Sequence, residues 1–147
     1  MAANGREKPL SIGFIVWPEN PTEAINAYLR FILAVFAEQN ITLPDQPNDA
    51  TALTRRRLAG QVDDAVLDGA RDSWWAVVDD ADGIRDFKSM RMLDARFALC
   101  LLSVRDKDAP ILGEHISWFF ELMGYAKYDT RGATALMKRT FTFSRPV

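Results

Sequence analysis

The chain has 147 residues, with 18 Lys and Arg against 20 Asp and Glu, one histidine and one cysteine. That length suits one domain, able to bury roughly two-thirds of the surface its unfolded form exposes. A lone Cys100 excludes a disulfide scaffold and a cysteine zinc site. A net charge of −2 excludes a uniformly basic nucleic-acid binder, and 11% aromatic with 26% charged residues excludes a disordered chain.

Residues 1–9 read as a loose N-terminal segment and 10–147 as a single α+β domain. Leu10 to Trp17 is an apolar run of eight residues. It is followed by Pro18-Glu19-Asn20-Pro21 rather than a small-residue cleavage site, so it reads as a strand and not as a leader. Asn20 is placed to cap a helix that has Pro21 in its first turn and Glu23 to close a capping box. Ile25, Tyr28, Leu29, Ile32, Val35 and Phe36 recur at helical spacing up to Glu38. No stretch reaches the ~20 apolar residues of a membrane helix, which points to a cytoplasmic protein.

Pro44 and Pro47 break the chain after this helix. A second helix is expected from Asn48 or Asp49 to about Ala70, with Gly69 near its end. Ser73 to Asp79 reads as a short aromatic and β-branched strand, closed by the turn Asp80-Ala81-Asp82-Gly83. Met90 to Val104 reads as a central strand, because Phe97 to Leu102 is apolar at every position. Asp108 and Pro110 start a third helix with the stripe Leu112, Ile116, Phe119, Phe120 and Met123, ended by Gly124. Thr140 to Phe143 alternates as a strand. The expected order is β-α-α-β-β-α-β, helices packed on a mixed or antiparallel sheet.

No catalytic set emerges. Trp75 to Gly83, a strand running into Asp-x-Asp-Gly, resembles over nine residues the first motif of the haloacid-dehalogenase phosphatases. The resemblance would make Asp80 the nucleophile and Asp82 the proton carrier, both beside magnesium. The lysine and the downstream acidic pair that such an enzyme needs have no match here. A calcium loop would put Val78 at its first ligand position. A nucleophilic triad would have to use His115, and no Gly-x-Ser-x-Gly elbow exists. Cys100 reads as core. The chain is therefore expected to be neither an enzyme nor a holder of a cofactor or metal. Arg55-Arg56-Arg57 diverge by about 100° each on a helix, so they form no tight basic patch, and nucleic acid is set aside as a partner.

The near-neutral total is a cancellation. Residues 61–86 sum to −6 and residues 127–147 to +4, with the remainder neutral. Asp64, Asp68 and Asp72 recur at four-residue intervals, a spacing at which like charges oppose each other on a helix. All three are expected to stand unpaired, and Asp68 and Asp72 to lie toward a helix C-terminus, where the dipole disfavours anions. Asp79 and Asp80, carried back along a strand, are expected near Arg57. Trp74 and Trp75 would face opposite sides of that strand, and tryptophan is enriched at binding hot spots.

In size and general character the chain is similar to the immunity proteins of bacterial toxin systems, of the contact-dependent growth inhibition type. That resemblance implies a cognate toxin as partner, a basic nuclease for example, occluded by acidic residues. The expected interface comprises Asp64, Asp68, Asp72, Asp79, Asp80, Asp82 and Asp86 with Trp74 and Trp75. The alternative reading is a small-molecule-binding or enzymatic α+β domain with a pocket between sheet and helices. A third reading is a homo-oligomer paired through the edge of the tail strand.

Overall fold

A computed structural model describes residues 9–146 of the chain. Among these residues there are six α-helices and two short strands: α1 (Pro21–Glu38), α2 (Ala50–Leu58), α3 (Asp64–Asp80), α4 (Met90–Leu102), α5 (Leu112–Tyr125), α6 (Thr130–Thr140), β1 (Ile15–Val16) and β2 (Thr142–Phe143). Leu10–Phe14 and Asp106–Ile111 form 3-10 turns. The expected α+β order is thereby overturned. The sheet is a two-stranded antiparallel pair, with Ile15 opposite Phe143 and Val16 opposite Thr142. The expectation of a loose segment at 1–9 lies, but for Pro9, outside the described residues.

Each misread segment has a physical reason. Met90 to Leu102 contains no β-branched residue and is rich in Leu, Met, Ala and Arg, the better helix formers. Its unbroken apolar run is that of a helix buried all round, which hydrophobic periodicity alone does not separate from a central strand. Every residue from Ala95 to Leu102 is buried, and Ser89 caps the helix by accepting from Met92 N at 3.3 Å. Ser73 to Asp79 continues a helix already begun at Asp64. Leu67, Ala70, Trp74 and Val78 are its buried residues, spaced by three and four, and that spacing overrides the strand preference of Trp, Trp, Val and Val.

The single helix expected over 49–70 is two helices. Gly60, at φ +73°, adopts the left-handed geometry open to glycine and ends α2, with Gln61 N donating to Arg56 O at 2.8 Å. Asp63 then caps α3 by accepting from Val66 N at 3.0 Å. Gly69 lies inside α3, not at a helix end. In the tail, Ala133 and Met137 are buried one turn apart in α6, so only Thr142 and Phe143 remain as strand. The α1 start holds as expected, with Asn20 Oδ1 accepting from Glu23 N at 3.0 Å and Pro21 at the first position.

The chain forms two compact units, residues 42–104 and residues 1–41 with 105–147. In the latter, Phe31 of α1 is ringed by Phe119, Phe120 and Phe141, with centroids 6.1, 6.3 and 5.4 Å away. In the former, α4 packs on α2 and α3. No helix among the described residues is long and apolar enough to cross a membrane.

Candidate functional site

The acidic segment is set by where α3 begins and how long it runs. At 100° per residue, Asp64, Asp68, Asp72, Trp75 and Asp79 fall within an arc of about 80°, a stripe about 22 Å long. Leu67, Ala70, Trp74 and Val78 occupy a second arc of about 80° and enter the core. Had 73–79 been a strand, Asp79 would have left this line. The helix brings it back, one turn beyond Trp75.

Side-chain exposure follows the two arcs. Asp64, Asp72, Trp75 and Asp79 are exposed and Asp68 is half-buried. Trp75 shows 39% of its surface, whereas Trp74 shows 2%. Trp74 is therefore core, and its Nε1 donates to Asn48 Oδ1 at 2.8 Å, while Asn48 Nδ2 donates to Ala70 O at 3.1 Å. The two indoles separate by helix geometry and not by the strand alternation expected, and burial removes Trp74 from the expected interface. Val66, Ile84 and Met90, all exposed, add apolar surface in the same part of the chain.

The electrostatics differ from the sequence expectation in three respects. Asp68 and Asp72 are not unpaired. Arg71, at the edge of the stripe, reaches Asp68 Oδ1 at 3.3 Å and Asp72 Oδ1 at 3.0 Å. Exposed pairs of this kind are worth ~0–1 kcal/mol, so they organise the stripe more than they stabilise the fold. Asp68 and Asp72 also lie in the first half and at the midpoint of α3, not toward its C-terminus as expected. Asp64 lies in the first turn of α3, where it is favoured, while Asp79 and Asp80 end the helix, where anions are disfavoured. The expected fold-back of a strand toward Arg57 does not occur, since those residues are helical; Arg57 Nη1 donates to Val104 O at 2.7 Å.

Asp80 and Asp82 are exposed but off the stripe, at the helix end and in the turn where Asp82 takes φ +51°. Asp86 is occupied by the backbone. Its Oδ1 accepts from Lys88 N at 2.9 Å and Ser89 N at 3.0 Å, and these amides hold its carboxyl below the usual range. It builds the start of α4.

Sequence reasoning missed the organiser of this loop. Arg96 is buried, donating to Gly83 O at 3.2 Å and Ile84 O at 2.6 Å, with its guanidinium 4.3 Å from the Phe87 ring centroid. Burial pulls its pKa down, opposed by the charge of Asp86. A Cβ at Gly83 would collide with Met92 Sδ, so the glycine lets the loop close on α4. An arginine inside an apolar run was the available signal, because such a residue needs partners when buried.

Among the described residues no cluster of three or more His, Cys, Asp or Glu could hold a metal. The pocket expected between sheet and helices has no layered sheet to form on. A separate groove opens beside α5, lined by Glu114, Trp118 and Glu121 together with Ile12, Pro110 and Ile111. No protein-family model matches the chain, and no curated protein and no solved structure matches it.

Proposed function

We propose that the protein is a non-catalytic binding module, an immunity protein that neutralises a basic bacterial toxin in the cytoplasm by covering it with the acidic stripe of α3. The observation that carries this reading is the alignment of Asp64, Asp68, Asp72 and Asp79 around the exposed indole of Trp75 on one helical face. Tryptophan is enriched at protein-binding hot spots, where the indole supplies contact area, and the surrounding carboxylates supply orientation toward a basic partner. Complementary charge accelerates encounter and makes it salt-sensitive.

The rigid support of the stripe also favours this reading. The core arc of α3 is fixed by Trp74 and its bond to Asn48, so the opposite charges of a partner meet a preordered array. The test is binding to the product of the adjoining reading frame, followed at low and high salt. Affinity should fall as salt rises, and Asp64→Lys, Asp68→Lys and Asp72→Lys together should abolish it. Unchanged affinity in the triple variant would remove the stripe as the interface.

A further inference from the structure

The groove beside α5 belongs wholly to the unit formed by residues 1–41 and 105–147. Its volume of about 710 Å³ lies in the range of small-molecule sites. Along α5, Glu114, Trp118 and Glu121 sit at i, i+4 and i+7, within an arc of about 60° and with the two glutamates about 10 Å apart along the axis. Across from them the walls are apolar: Ile12, Pro110 and Ile111, the last 43% exposed. No lysine or arginine lines the groove.

Each feature selects a part of the ligand. Two carboxylates without a basic neighbour attract cations, and a separation of two helical turns suits two linked cationic groups better than one metal ion. Apolar walls between them favour methylene groups over water. An indole midway receives an ammonium or its adjoining carbons on its face. We propose that this groove binds a linear aliphatic polyamine, with one terminal ammonium at Glu114, the other at Glu121, and the chain lying along Trp118 and the Pro110–Ile111 wall. A triamine spans both carboxylates; a short diamine engages one at a time.

The test is calorimetric titration of the full chain at low salt with spermidine, and separately with putrescine. Spermidine should bind at one site, about tenfold tighter than putrescine. Glu114→Gln and Glu121→Gln should each weaken spermidine by about tenfold, to the level of the diamine, and erase the preference between the two amines. Asp64→Asn with Asp72→Asn, on α3, should leave spermidine binding unchanged. Three results would overturn the proposal: no spermidine binding, equal affinity for both amines, or loss of binding in the α3 variant with retention in the α5 variants. The wild-type comparison of the two amines stands even if a groove variant folds poorly.

Discussion

α3 and α4 pack against each other, yet they use their charged residues in opposite ways. α4 buries nearly every side chain and draws Arg96 inward, where its guanidinium is consumed by backbone carbonyls and the Phe87 ring. α3 divides lengthwise into a core arc and an acidic arc, and keeps Asp64, Asp72, Trp75 and Asp79 in solvent. A buried charge is fixed by the few partners available to it, whereas the exposed row, Arg71 bridging Asp68 and Asp72 within it, stays in contact with solvent. The difference separates a charge that holds the fold from charges whose removal should leave the fold intact.

Substitutions at Arg96 should break the structural side of this contrast most severely. Arg96→Met removes the donors to Gly83 and Ile84 carbonyls, and should destabilise the protein by about 3 kcal/mol in urea unfolding. Trp74→Phe loses the bond to Asn48 and part of a filled volume, with a cost of about 2 kcal/mol in the same measurement. Trp75→Ala, one position along, should change stability by less than about 0.5 kcal/mol, while costing partner affinity about 2 kcal/mol in a binding titration. The pair Asp79→Asn and Asp80→Asn should stabilise α3 by about 0.3–1 kcal/mol, because each removes an anion from the negative end of the helix dipole.

The smallest effect concerns pH. Burial raises the Asp94 carboxyl above its ordinary value of 3.8. A carboxyl whose folded pKa exceeds its unfolded one costs stability at neutral pH, and that cost disappears as pH falls through the folded value toward the unfolded one. Asp94→Asn should therefore stabilise the protein near pH 7 and have no such effect near pH 3, as urea unfolding at the two pH values would show. Asp86 has the reverse sign. Its lowered pKa contributes stability above pH 3.8 that is lost as pH falls through the folded value.

The segments legible in the sequence are those whose local signals agree. Asn20, Pro21 and Glu23 mark the start of α1, and the Leu112–Met123 stripe marks α5. The two helices read as strands are those in which signals conflict. Trp74 to Val78 carries strand formers inside a helical burial pattern that starts at Leu67, and Phe97 to Leu102 has no periodicity to read. The acidic concentration was visible as composition, but its arrangement depended on the very element that was misread. Asp79 joins the stripe because 73–79 is helical, Trp74 leaves it for the core, and Asp86 turns to the backbone for the same local reason that α4 is a helix.

A charge-matched comparison reads the central claim most directly. Asp64→Lys with Asp79→Lys reverses the two ends of the stripe, whereas Asp80→Lys with Asp82→Lys makes the same change of charge away from it. Binding of each double variant to the product of the adjoining reading frame, at fixed ionic strength, separates a helical face from a diffuse acidic field. The on-stripe variant should bind about tenfold more weakly than the off-stripe one. Equal losses in the two, with both folded, would contradict an interface that follows the α3 stripe.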